Sequence, residues 1–280
     1  MVPAKPLEES RILSLTRKNK RRDRSGGLFA SPDAQTLLSA NNLGDLDQVF
    51  CSTAKFDYRR GGRGVWSTDL YDCGGDPVRV FIKTQWGRRR ITTRPSHLAA
   101  GLWRKSRPTE EWEGIARLKA AGLNVPERLA VFEQGRLSFR AAVIIKAVPA
   151  RESVDSLLQS GRWDALPRQH REAILDAIIE STRSIHAAGL AWGGISCRHY
   201  FPLFQDDQTC TTWLIDLESV HVRNSRRIIQ RNYDKLCRSM HKAGADAATL
   251  SQLQSRIDRV LSGRSFPFGR FARMRPRAAG

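Results

Sequence analysis

A few charged side chains in this sequence stand at positions where solvation alone does not explain them. Lys83 ends the apolar, β-branched run Val78-Arg79-Val80-Phe81-Ile82. Glu111 falls at i, i+4 and i+7 with Ile115 and Leu118, so it rides on the stripe of a helix that should be buried. Asp216 follows Thr212-Trp213-Leu214-Ile215, a strand expected in the interior. A carboxylate there needs a partner, and a divalent cation bridging phosphates is the best candidate. Glu218, two residues on, points to the same side of an extended segment and would help hold it. The turn Gly61-Gly62-Arg63-Gly64 would let backbone N–H groups approach a phosphate. Each position also has a plainer reading. Lys83 is then a surface lysine at a strand end, Glu111 a helix-start carboxylate, Asp216 a capped turn residue, and the glycines an ordinary hairpin.

The elements that would position these groups can be read from pattern. Phe50–Tyr58 and Gly64–Tyr71 read as strands around the glycine-rich turn, and Val78–Lys83 as a third. Arg88–Arg107 is a long basic connection. Thr109, after Pro108 and before Glu110 and Glu111, is placed as the cap of a helix that runs to Gly122. Arg128–Gln134 and Ser138–Val148 are two further strands. Beyond them the chain turns helical: a short helix in Glu152–Ser160, a long one over Arg168–Ala188, and final helices over Asn232–Ala243 and Ala247–Leu261, with short apolar pieces between. The expected organisation is a polar, basic extension (1–48), a small lobe (49–149), a mainly helical lobe (150–262) and a basic tail (263–280).

The 280 residues carry 47 Lys+Arg against 28 Asp+Glu, a net charge of +19, and 40% are hydrophobic, which makes a globular chain rather than a disordered polycation. The charge is segregated. Residues 77–109 hold nine basic side chains and no acidic one, 222–242 seven against one, 263–280 five against none, and 17–24 six against one. Segregated charge draws anionic ligands or docks a protein on an anionic surface. Nucleic acid is disfavoured as the anion. Aromatics in the basic windows are few (Phe81, Trp86, Trp103, Tyr233 and, in the tail, Phe266, Phe268 and Phe271), and no nucleic-acid motif is present. No apolar stretch is long enough to span a bilayer, and Met1–Ser10 has no secretory core. Five cysteines without a CxxC pair argue against a disulfide framework or zinc ribbon and for a reducing cytosol.

The order of these features resembles the lipopolysaccharide core kinases, the Kdo/WaaP/InaA group of the protein-kinase-like superfamily. The resemblance spans about Val49–Leu261. It rests on Arg63-Gly64-Val65-Trp66, Val80–Gln85, Glu111-Trp112 followed by Gly122–Pro126, Ile185–Leu190, Arg198–Phe201, Leu214–Glu218 and Asn232–Leu236. It implies an α+β, bilobal fold: a small antiparallel sheet with one helix, then a helical lobe. It implies ATP and Mg²⁺ as cofactors, with Gly61, Gly62, Gly64, Lys83 and Glu111 binding the nucleotide. Asp216, Glu218 and His199 would hold the metal, His199 standing five residues after Gly194, where kinases place a metal-binding Asn. For His199 a hydrogen-bonded structural role stays open, and His186 reads as structural. The departure is Gly194, at the position of the aspartate that accepts the acceptor's proton. Two functions follow: phosphorylation of a sugar hydroxyl, as in lipopolysaccharide core, or a pseudokinase acting as a nucleotide-binding or regulatory module. Expected partners are a phosphorylated sugar acceptor and the anionic inner leaflet. The expected location is cytoplasmic, peripheral on the inner membrane.

Overall fold

The structure, a computed structural model, describes residues 27–52, 58–60, 62–88, 105–135, 138–205, 209–223 and 225–262. It divides into two compact units, one built from the chain up to Thr109 with Arg128–Lys146, the other from Glu110–Glu127 with everything from Ala147.

The first unit is an antiparallel sheet. Among the described residues it has six strands: β1 (Gly27–Phe29), β2 (Tyr58–Arg60), β3 (Arg63–Tyr71), β4 (Pro77–Arg88), β5 (Arg128–Gln134) and β6 (Ser138–Lys146), in the order β1-β5-β6-β4-β3-β2. The pleat sends alternate residues to opposite faces. Trp66 and Leu70 of β3, Val80 and Ile82 of β4, and Ala142 and Ile144 of β6 are buried on one face. Two helices cover that face: α1 (Pro32–Ala40) and α2 (Leu46–Cys51), through Ala34, Leu38, Leu46 and Val49. Both are capped locally, Ser31 accepting from the Ala34 N–H and Asp45 from the Gln48 N–H.

Regular structure is therefore already present at Gly27, well before Val49. The segment expected as an extension supplies one cover of the sheet, because Ser31-Pro32 starts a helix and Leu38, Leu43, Leu46 and Val49 recur on one side. Phe50 and Cys51, read as the start of a strand, end α2 instead; of that expected strand only Tyr58 lies in β2, and residues 53–57 lie outside the described residues. β4 runs on to Arg88, so the basic connection is shorter, and residues 89–104 of it lie outside the described residues.

The second unit holds most of α3 (Arg107–Ala120), then α4 (Val154–Gln159), α5 (Arg162–Ala165), α6 (Arg168–Ala187), α7 (Arg226–Lys242) and α8 (Ala247–Ser262). Two small antiparallel ladders complete it, β7 (Leu190–Trp192) with β10 (Val220–Val222) and β8 (Tyr200–Phe204) with β9 (Cys210–Leu214). The first cap of α3 is Ser106 rather than Thr109: the Ser106 hydroxyl accepts from the Thr109 N–H and donates to Glu133 of β5. α6 buries Ile174, Leu175, Ile178, Ile179, Ile185 and His186 along one stripe. α7 starts at Arg226, ahead of the expected Asn232, because Ser225 caps it.

Candidate functional site

In the first unit Lys83 sits mid-strand in β4, paired with Val65 on one side and Val143 on the other. By parity it lies on the sheet face opposite Val80 and Ile82. It is half-buried, its stem lying in a row of apolar side chains. The loop between β2 and β3 is two residues long, Arg60 pairing with Arg63. Gly62 has φ +75°, and a Cβ there would stand 2.4 Å from the Trp86 carbonyl oxygen. Trp86 N–H donates to the Gly62 carbonyl at 2.8 Å, so the hairpin tip is clamped against β4. Gly64 lies within β3, its carbonyl accepting from the Thr84 hydroxyl. Gly61 lies outside the described residues.

In the second unit Glu111 is 2% exposed, beside the fully buried Ile115 and Leu118. One turn on, a Cβ at Gly114 would stand 2.1 Å from the carbonyl oxygen of Leu217. The helix thus lies directly on the backbone that follows Asp216. Arg117 donates to the Val220 carbonyl at 2.8 Å, and the Leu214 N–H donates to the Asn124 carbonyl at 3.0 Å. Helix α3 and its exit are bound along the whole of 213–220.

Asp216 and His199 are brought together. His199 Nε2 stands 3.2 Å from Asp216 Oδ2, and its Nδ1 stands 2.9 Å from the Gly194 carbonyl. A carbonyl only accepts, so Nδ1 carries a hydrogen. In the neutral imidazole Nε2 is then a lone pair, aimed at a carboxylate oxygen. A proton on Nε2 satisfies that contact as an ion pair, and a divalent metal accepting from both groups fits it equally. The carboxylate is open to it, Asp216 being 44% exposed at the side chain. Asp216 adopts φ +59°, one of two non-glycine residues in the left-handed region among those described. Such a conformation is costly and is held only where the surroundings fix it. The Trp192 indole N–H donates to its carbonyl at 3.4 Å, and the Ile215 N–H donates to the His199 carbonyl at 3.2 Å. The positive φ also ends the extended segment that would have carried Glu218 to the same side. Glu218 lies in a turn, and among the described residues no three His, Cys, Asp or Glu side chains form a metal-binding group.

The loop that carries Gly194 is held from four directions. Buried Asn232 of α7 accepts from the Trp192 N–H at 3.4 Å and donates to its carbonyl at 3.0 Å. Lys235 donates to the Gly193 carbonyl at 2.8 Å, and the Ser239 hydroxyl accepts from the Cys197 N–H at 2.9 Å. The Gly193 N–H donates to the Ser219 carbonyl. At Gly194 a Cβ would stand 2.8 Å from the Ser219 hydroxyl, a buried group without a hydrogen-bond partner among the described residues. The supporting roles of Asn232, Lys235, Ser239 and Ser219 were not read from the sequence; a buried-stripe Asn three residues before a Lys was the signal available. His186 is structural as expected, its Nδ1 against the Leu190 carbonyl at 3.1 Å, and burial lowers its pKa below the usual histidine value.

With an antiparallel sheet unit, a helical unit and an Asp–His pair beyond a β-hairpin, the molecule has the architecture of a kinase-like protein. A solved structure described as WaaP in complex with acyl carrier protein shares this fold, with a TM-score of 0.59 at 16% identity, covering 83% of this chain and 88% of that one. The profile of the lipopolysaccharide kinase (Kdo/WaaP) family matches residues 55–256, and the chain belongs to that family. No curated protein sequence matches it.

Proposed function

We propose that the protein transfers a phosphoryl group from ATP to a sugar hydroxyl of the lipopolysaccharide core, working on the cytoplasmic side of an anionic membrane. The His199–Asp216 pair carries this reading. It presents one nitrogen and one carboxylate oxygen to a shared cation, with the geometry of both fixed by backbone hydrogen bonds. Mg²⁺ held there would neutralise charge on the nucleotide phosphates. Lys83 is the cation we assign to those phosphates, and Glu111 the carboxylate assigned to orient it. Gly62 supports the phosphate-loop assignment only through backbone exposure, since its side-chain space is taken by β4. Phosphoryl transfer depends chiefly on positioning and charge stabilisation, so it survives without a base at 194, slower by about 10²–10⁴.

Gly194 favours a second reading, a nucleotide-binding module without turnover. The two are separated by measuring Mg²⁺-ATP binding, and ATP consumption with core oligosaccharide, for the wild type, Lys83→Ala and Asp216→Ala. Turnover that both substitutions abolish is the expected result. Binding without Asp216-dependent turnover leaves the module, and no Mg²⁺-ATP binding removes both.

A further inference from the structure

Six arginines elsewhere on the described surface are paired: Arg79 with Asp69, Arg140 with Asp47, Arg162 with Glu152, Arg168 with Glu172, Arg183 with Glu180 and Arg256 with Asp176. Arg151, Arg198 and Arg259 are exposed singly, whereas helix α7 gathers such cations into a row. Arg227, Arg231, Arg238 and Lys242 recur at i, i+4, i+11 and i+15, all exposed, within one narrow arc and over about 22 Å of helix. None forms an ion pair with a described residue. The carboxylate on that arc, Asp234, accepts instead from Gln230 at 2.9 Å. Arg226 and Arg227 also occupy the first turn, where the helix dipole disfavours cations, and no acidic residue offsets them. The chain leads into this helix through Val222, which is 78% exposed, and exposed Arg223.

We propose that the outer face of α7, with Val222 and Arg223 before it, docks on an anionic lipid surface. The inference names the docking surface for the membrane location proposed above and does not depend on phosphoryl transfer. A long, flat row of uncompensated cations with an exposed aliphatic residue at one end suits a plane of headgroups over an acyl boundary. A single phosphorylated sugar needs a concave site with converging donors, and single-stranded nucleic acid needs aromatic stacking platforms; this face has neither.

The test is partitioning of the full chain onto phosphatidylcholine vesicles with and without about 30% phosphatidylglycerol. Each cation near such a surface is worth roughly fivefold in partitioning, so Arg227→Gln/Arg231→Gln/Arg238→Gln lowers binding to the anionic vesicles by about 100-fold. The control removes three paired arginines, Arg79→Gln/Arg162→Gln/Arg168→Gln, and changes it little. Both variants keep the basic termini, whose contribution cancels. Val222→Gln, which leaves charge unaltered, lowers vesicle binding several-fold and leaves retention on single-stranded RNA unchanged. Equal losses in the α7 variant and the control reduce the effect to net charge and overturn the proposal. So does an α7 variant that loses RNA retention as much as vesicle binding while Val222→Gln is silent in both, which makes the face a nucleic-acid surface. Failure of kinase turnover leaves these readouts untouched.

Discussion

Pairing an imidazole nitrogen with a carboxylate oxygen would give the proposed cation site a softer donor set than two oxygens would. Mg²⁺ prefers oxygen, whereas imidazole suits the later divalent ions. Mn²⁺ should therefore support nucleotide binding better than Mg²⁺ in the wild type, and His199→Asn should shift the preference toward Mg²⁺ by about tenfold. Calorimetric titration of nucleotide with each metal reads this directly; an unchanged ratio places His199 outside the metal's shell. A second residue-scale expectation concerns His186. Burial lowers its folded pKa below the value near 6.5 at which it titrates when unfolded. Between the two values the unfolded chain binds the extra proton, so stability is complete above about pH 6.5 and falls as pH drops below it. His186→Phe should flatten the acid limb of the urea midpoint plotted against pH.

Elements were legible where one local signal sufficed. The periodicity of α6 and the β-branched run of β4 stand out in the sequence, and the structure has both. What the sequence hid depended on distant partners. Phe50-Cys51 reads as strand until Asp45 is seen capping a helix that packs on the sheet. Glu218 reads as the end of an extended segment until the left-handed Asp216 turns the chain. The pairing of His199 with Asp216 was legible only through resemblance, and Asn232 not as a support at all, since nothing in composition says which backbone a buried amide will meet. Gly114 is the element-scale feature with the sharpest consequence. Its missing Cβ admits the Leu217 carbonyl, and that neighbour is backbone, which does not yield as a side chain does. Gly114→Ala should destabilise by about 1–3 kcal/mol and also weaken Mg²⁺-nucleotide binding, because the displaced segment carries Asp216. A change in the denaturation midpoint with binding intact would separate the helix from the site. Asn232→Leu should cost about 1–3 kcal/mol by stripping partners from the Trp192 backbone.

Across the whole molecule the five thiols form a graded set. Cys51 and Cys73 are exposed, whereas burial pushes the Cys197 and Cys210 thiols up to about 11. A thiol reagent at neutral pH should label Cys51 and Cys73 within the dead time of unfolding and reach Cys197 only as the second unit opens, by mass spectrometry. Early labelling of Cys197 would mean that the loop holding His199 opens on its own.

Gly194 is outside the left-handed region, so its backbone accepts a side chain, and only the rotatable Ser219 hydroxyl stands within 3 Å of a Cβ there. That hydroxyl lacks a partner and would gain one by turning to donate. Gly194→Asp should therefore fold as the wild type does and raise sugar phosphorylation by about 10²–10⁴ if the rest of the machinery is in place. Two of the four glycine codons, GGT and GGC, lie one base from aspartate. From a gene written with either codon at position 194, a screen of random point mutants for faster phosphorylation should recover Gly194→Asp repeatedly.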